Sequence, residues 1–600
     1  MSERVSLGKT DIQLFIDVSE TISELLYEHA MHDILIRLIE VIVDVCDRTI
    51  WDKHGESLER ILTLGALAGF DQCNDKLKDE LNVLSATMFK SKANTLCVYR
   101  ALLKTKIWQL SDYEIYQSCC ECFKMLGINE IKSGTKIFLR FKSRQVHFNI
   151  NRKGLGYKKK NKGRESVILG DILSTCLPTL FNLGGNKVSA ICIAYVDHVI
   201  NESYQESIPL ALSLYAMTLE GLGSVKLSTS YGKMALKWSD MDFVPGWVGA
   251  QSKILIYKHL AYRWMTIENS RTKTEALHKK LAYFVNEEWS ANNYFTLLQL
   301  SFLSGLNLNT LINEEEVNKF SGKEQNHTFY NTHIKIFLQL IYNLNVAETN
   351  FVTELTGQFY EESNPVEVKK RNNNISLEFT YNLCKGILFL YFEKPTQAWS
   401  FFSKANKSID ASESSVISFL PILLKSITAY ELLKRDIYKG SEKYQLYKEY
   451  KKINRLIMRS RWFNGGFLDS EKMLVRGLEW YLRKNKVKAC EFIEASVGVA
   501  EEGHKLWLGY LGQRFLTRIY IREEDYENAF LQLTEATSLA KKWGATTLVD
   551  YLQKANAGIG FGSNISERDL VSSPSQFSSN SYSSNKASSI LLTAETRSRK

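Results

Sequence analysis

The chain has 600 residues, a formal net charge of +10, 44% hydrophobic residues and only 7 prolines. The charge is mild for this length and excludes the footprint of a dedicated nucleic-acid binder, while the apolar content is ample for a large buried core. Proline costs roughly 3 kcal/mol inside a helix, so a chain this poor in it can be helical almost throughout, and the expected fold class is all-α.

The N-terminus, "MSERVSLGKTDIQLF", has no basic start followed by an apolar run, so no secretory signal is expected. "GKT" at 8–10 has the tail of a phosphate-binding loop, but Glu3 stands where the first glycine belongs and no strand precedes it. "HAMH" (29–32) sets two histidines three apart, which would need a ligand from another helix to hold a metal; a helix face is the expectation. "ILIRLIEVIVDVC" (34–46) is the longest apolar candidate, yet Arg37, Glu40 and Asp44 recur at helical spacing, so it reads as an amphipathic helix and no membrane span is expected. These N-terminal helices occupy 1–59.

A first helical array is expected over 60–356. "CCEC" (119–122) has a Cys-x-x-Cys spacing, but structural zinc needs about four convergent ligands and no second pair is near. Small buried thiols are expected, and in the same stretch Ile115 and Cys122 stand where the paired small residues of a hairpin belong. The ten scattered cysteines fit reduced core residues of a cytoplasmic protein. "KGLGYKKKNKGR" (153–164), with Lys158, Lys159 and Lys160, marks a basic loop inserted at about 143–165.

A repeat then emerges. Gly386, Phe389, Ala398, Phe402 and Ala405 stand at offsets 0, 3, 12, 16 and 19. Gly477, Trp480, Ala489, Ile493 and Ser496 repeat those offsets, and so do Thr517, Tyr520, Ala529, Leu533 and Ala536. Ala216, Leu219, Ser228, Gly232 and Ala235 do so too, with Gly232 in place of a large residue. Antiparallel helices approach closely only where side chains are small, with large residues filling the grooves on either side. Ala216, Ser228, Ala235, Gly386, Ala398, Ala405, Gly477, Ala489, Thr517, Ala529 and Ala536 are therefore the expected helix-crossing positions. The spacing resembles the tetratricopeptide repeat, here degenerate and uneven. A mobile loop is expected at 357–376, "YEESNPVEVKKRNNN" lying within its reach, and a second array at 377–556.

Within that array, "KRDIYKGSEKYQLYKEYKKINRLIMRSRW" (434–462) alternates basic and tyrosine residues. Two readings stay open. Lys443, Lys448, Lys451, Lys452 and Arg455 could bind an acidic protein, an anionic lipid surface or RNA, with nucleic acid disfavoured. Otherwise the tyrosines with Ile453, Leu456 and Ile457 face a neighbouring hairpin and the lysines are merely solvated. "GIGFGS" (558–563) follows a helix and opens a polar tail, so it reads as a helix stop. The Ser- and Asn-rich remainder, 557–600, has too few apolar residues to pack and is expected to be disordered. "SSPS" (572–575) in it fits a proline-directed phosphorylation site.

"CFKMLGI" (122–128), "LALSLYAMTLEGLGSVKLSTSYGKMALKW" (210–238) and "YIREEDYENAFLQLTEATSLAKKWGATTLVDYLQ" (520–553) together resemble the helical-repeat region of fungal hybrid and bacterial multi-sensor histidine kinases. The resemblance covers about 60 to 555, and Trp543-Gly544-Ala545 before a short helix is its best marker. In that family a kinase-like domain and an AAA-type ATPase precede the repeats; a GAF domain, the histidine-kinase core and often a receiver follow. The chain departs from the family in lacking the phosphate-accepting histidine context, the ATP-lid segments, the receiver cluster and a P-loop. The resemblance thus implies a connecting module in two-component signalling, not an enzyme, with no metal or other cofactor. Its partners would be kinase, ATPase or GAF domains in cis or in trans. A basic adaptor is the alternative, and an enzyme with an unrecognised site the third.

Overall fold

The computed structural model describes residues 9–28, 31–46, 48–67, 83–84, 89–106, 110–128, 135–154, 164–180, 183, 185–202, 204–281, 287–312, 329–346, 352–372, 374–409, 415–459 and 468–556. The fold is an all-α solenoid of degenerate tetratricopeptide-like hairpins; among the described residues the only β feature is one isolated bridge, Thr356 to Glu361. The expected tail at 557–600, the "GIGFGS" stop and "SSPS" lie outside the described residues, as do Lys158, Lys159 and Lys160, whereas Lys9 and Thr10 of "GKT" open the first helix.

Contacts divide the chain into two units, Met1–Lys253 and Ile254–Lys600. The division falls inside a helix, not at the expected junction near 356. The first unit holds α1 (Lys9–Glu28), α2 (His32–Val45), α3 (Arg48–Leu67), α4 (Lys92–Lys106), α5 (Asp112–Met125), α6 (Lys136–Lys153), α7 (Arg164–Leu180), α8 (Gly185–Glu202), α9 (Ile208–Gly221), α10 (Val225–Trp238) and the start of α11 (Gly246–His259). The expected break at 59/60 falls within α3. Ile16 of α1, Ile36 and Ile39 of α2, and Trp51, Leu58 and Leu62 of α3 share one small core.

Two expectations change in this unit. Ile115 and Cys122 do not pair across a hairpin, because both lie on α5, a single helix started by a Ser111–Glu114 capping box. The basic insertion does not begin at 143, because α6 runs to Lys153. Leu139, Val146 and Ile150 bury one face of that helix. The Tyr215 hydroxyl donates to the Ser143 carbonyl at 2.6 Å, and His147 Nδ1 lies 2.7 Å from the Tyr231 hydroxyl. Both tyrosines belong to the α9–α10 hairpin, which therefore holds the helix through the charge-rich stretch.

The second unit continues with α12 (Ile267–Leu281), α13 (Glu287–Leu303), α14 (Leu308–Ile312), α15 (Phe329–Asn345), α16 (Pro365–Asn372), α17 (Ile375–Tyr391), α18 (Pro395–Lys407), α19 (Leu420–Lys434), α20 (Gly440–Arg459), α21 (Asp469–Leu482), α22 (Lys486–Glu502), α23 (Leu506–Arg522), α24 (Tyr526–Trp543) and α25 (Thr546–Asn556). The stretch 357–376 is not a loop. It contains α16, and Gln339 Oε1 accepts the Phe359 and Tyr360 amides at 3.0 and 3.3 Å. Lys385 binds the Thr353 carbonyl at 2.8 Å and Glu362 at 3.0 Å. Polar composition suggested a loop, but buried Val352, Leu355, Phe359 and Tyr360 anchor it.

Hairpins among the described residues include α9–α10, α17–α18, α19–α20, α21–α22 and α23–α24. A Cβ on Gly386 would meet Phe402 Cε1 at 2.5 Å, and one on Gly477 would meet Ile493 Cγ1 at 2.5 Å and the Ala489 carbonyl oxygen at 3.0 Å. Ala216, Ser228, Ala235, Ala398, Ala405, Ala489, Thr517, Ala529 and Ala536 are all buried. The Thr517 hydroxyl donates back to the Gln513 carbonyl at 2.9 Å, so its polarity is satisfied within its own helix.

Four hairpins share one turn: the last helical carbonyls are capped, one residue takes a left-handed backbone, and the next residue starts the second helix. That residue is Gly223, Glu393, Lys484 or Glu524, with φ of 83°, 61°, 61° and 60°. Each stands seven positions after the first crossing residue. The amide that follows closes a Schellman bond to the carbonyl five residues back: Ser224 to Leu219 at 2.8 Å, Lys394 to Phe389 at 2.8 Å, and Asn485 to Trp480 and Asp525 to Tyr520 at 3.0 Å. The strictness of this turn explains why the repeat spacing survives where the side chains have drifted.

Candidate functional site

Successive hairpins of a solenoid ordinarily leave the first-helix face open as a groove. In the second unit that face is filled by the protein itself. The Tyr391 and Tyr510 rings stack at 5.6 Å, and Tyr430 meets Phe515 edge-on at 5.6 Å. The Tyr391 hydroxyl donates to the Trp507 carbonyl at 3.3 Å, and the Trp507 indole donates to the Leu303 carbonyl at 3.0 Å. The Asn307 amide donates to the Lys542 carbonyl at 3.1 Å, and Gly544 ends α24 in the left-handed region with Asn307 against it. Thus α23 is bonded to α17, and the end of α24 to the segment before α14.

At the rim of this filled face lies a charge cluster. Glu393, on the left-handed turn of α17–α18, accepts Arg514 at 2.9 Å and Arg518 at 2.6 Å from α23. Arg435, just past α19, donates to the Glu393 carbonyl at 3.2 Å and reaches Glu431 at 3.3 Å. Glu431 binds Arg518 at 2.5 Å from its other oxygen. Arg514 also donates to the Tyr391 carbonyl at 3.0 Å. Burial by itself would raise the Glu393 carboxyl, but the Arg514 and Arg518 guanidiniums outweigh it and hold the group at about 2. Burial would likewise lower Arg518, but Glu431 and Glu393 keep it above its usual range. The cluster thus fastens three hairpins together, α17–α18, α19–α20 and α23–α24.

The outer surface of the same unit carries α20. Tyr450, Ile453 and Ile457 are buried, as the packing reading expected. Leu456 is not, at 52% exposed, and Tyr444 is 69% exposed. Lys448, Lys452 and Arg455 share this exposed side. Lys443 pairs with Asp436, and Lys451 sits 4.6 Å from the Tyr447 ring. The helix thus meets both readings in part, a packed inner stripe and a basic outer stripe ended by Tyr444 and Leu456.

Further ionisable groups are buried. Lys505 binds Glu471 at 2.8 and 2.9 Å, both buried. Lys258 donates to Asn292 at 2.8 Å and contacts the Tyr330 hydroxyl at 3.0 Å; burial lowers this amine to about 7. Cys119 and Cys122 are fully buried, and their thiols are pushed up, Cys119 first by its contact with Cys176 and Cys122 first by burial. A buried, protonated thiol is a poor nucleophile or ligand. No group of three metal-ligating side chains occurs among the described residues, and no described helix is long and apolar enough to cross a membrane. The side chains of His29 and His32 fall outside the described residues.

The Glu393 cluster was not anticipated. Two signals point to it in hindsight: an acidic residue in a left-handed turn position, and Arg514 and Arg518 one turn apart on the helix that carries Thr517. No family model matches the chain, and no curated protein matches it.

Proposed function

We propose that the chain is a non-catalytic helical-repeat interaction and transmission module of two-component phosphorelay signalling, in a cytoplasmic setting. It would link the nucleotide-binding half of a kinase of the resembling family to its GAF and histidine-kinase half, in cis or in trans. The observation that carries this reading is the bonding of Glu393, in the α17–α18 turn, to Arg514 and Arg518 on α23. Hairpins α17–α18 and α23–α24 are thereby joined directly, which a transmitting element requires and a chain of independent hairpins would not provide. The phosphorelay context rests on the resemblance of 122–128, 210–238 and 520–553.

The test is to combine the chain with the ATPase segment and the GAF–histidine-kinase segment of such a kinase, measuring binding and autophosphorylation. Binding to either, with autophosphorylation altered by the chain and not by an Arg518→Ala variant, is the expected result. No binding and no change sinks the proposal.

A second reading is favoured by one observation, the exposure of Tyr444 and Leu456 beside Lys448, Lys452 and Arg455. In it α20 is the contact surface of a basic adaptor for an acidic or anionic partner. Retention on anionic vesicles or an acidic protein at about 150 mM salt, lost on Lys448→Glu/Lys452→Glu, supports it, because exposed contacts that weak are otherwise screened.

A further inference from the structure

The N-terminal three-helix layer of the first unit is built unlike an ordinary surface layer. Helix α1 turns Ile16 inward, with Ser19 and Ser23 buried beside it. On the opposite side stand Leu14, 65% exposed, with Val18 and Leu25 also exposed and Ile22 beside them. At 3.6 residues per turn, Leu14, Val18 and Leu25 fall within about 40° of arc and span about 16 Å, roughly three turns. Helix α2 repeats the design: Leu35, Ile36, Ile39 and Ile42 face the core, while Ile34 (51% exposed), Val41 and Val45 line the far side. Single exposed aliphatic residues are ordinary, but two neighbouring helices each carrying a periodic stripe opposite their own core form a face that is expected to be covered.

The charges around the stripes select what covers it. Helix α1 carries Asp11, Asp17, Glu20, Glu24 and Glu28 against Lys9 alone, and α2 carries Asp33, Glu40 and Asp44 against Arg37 alone. Glu20 of α1 is taken up by a salt bridge to α3, with Arg60 at 3.0 Å. On the helical wheel Asp17 and Glu24 border one edge of the Leu14 stripe, and Glu40 and Asp44, with Arg37 among them, border one edge of the Val41 stripe. A second copy docking through this face would set acid against acid, and an anionic bilayer would be repelled. A helix whose own apolar stripe is bordered by lysine and arginine satisfies both features at once.

We propose that the outer face of α1 and α2 is a docking site for a basic amphipathic helix of a partner protein, about three turns long. The site depends on neither the phosphorelay reading nor the Glu393 cluster, so it stands or falls separately.

The test uses the full chain and a fluorescein-labelled synthetic helix with leucines at i, i+3, i+4 and i+7 and lysines elsewhere, followed by anisotropy. A scrambled peptide of the same composition and a glutamate-for-lysine counterpart are the controls. The lysine helix is expected to bind, more weakly as salt rises, and at least tenfold more weakly to Leu14→Gln/Val18→Gln/Leu25→Gln. Those side chains point away from the core, so circular dichroism should show the variant folded. Asp17→Lys/Glu24→Lys, which leaves the stripe intact, should reverse the preference toward the glutamate helix. Failure of the lysine helix to bind, equal binding of the scrambled peptide, or indifference to both variants overturns the proposal. So does a concentration-dependent dimer, or binding to neutral vesicles, that the leucine variant abolishes, because the occupant would then be a second copy or a bilayer.

Discussion

Glu393 and Lys484 occupy the same place in their hairpins, with the same left-handed φ of 61° and the same Schellman closure. A residue with a Cβ is strained in that conformation by about 1 kcal/mol relative to glycine, and Gly223 shows the unstrained solution in the first unit. At Lys484 the side chain is exposed. At Glu393 the side chain gathers three guanidiniums. The same backbone strain is therefore offset by ion pairs at Glu393 and left in solvent at Lys484.

The largest effect should come from removing one member of the cluster. Arg518→Ala leaves Glu393 and Glu431 without their shared partner, and a loss of about 3–5 kcal/mol in denaturant unfolding is expected. A loss under about 1 kcal/mol would mean the cluster is an exposed decoration. Acid should act through the same group. With its folded-state carboxyl held at about 2, below its unfolded value, Glu393 contributes stability that is present above about pH 4.5 and is lost as pH falls toward 2. That loss is about 3 kcal/mol, and comparing acid titrations of the wild type and Glu393→Gln isolates it.

Glu393→Gly relieves the backbone but strands the arginines, for a net loss of about 2 kcal/mol. At the other turns the sign should invert. Lys484→Gly and Glu524→Gly are each expected to raise stability by about 0.5–1 kcal/mol, read as a higher denaturation midpoint at unchanged slope. If Glu393→Gly stabilises as they do, the distinction between the two kinds of turn disappears.

The helical class and the four registered hairpins were legible because they depend on local rules. Scarce proline, small residues where helices cross, and a turn with one left-handed residue all recur at fixed distances along the chain. The α19–α20 hairpin escaped registration. Ala429 lies seven residues before the left-handed Asp436, but Gly440 and an exposed Ser441 follow where a buried small residue would have shown the crossing. The segment around α16 was misread for a related reason: its anchors, Gln339 and Lys385, lie outside it on helices to either side.

What the chain determines through its order alone is a series of helical hairpins with prescribed turns, since each involves atoms within about twenty residues of one another. What only the folded molecule decides is that the inner face of the second unit closes. Glu393 meets Arg514 and Arg518 across more than a hundred residues, and Trp507 meets the Leu303 carbonyl across two hundred. Such pairs leave no periodic trace, because a charge can find its partner at any separation once packing has brought the helices together.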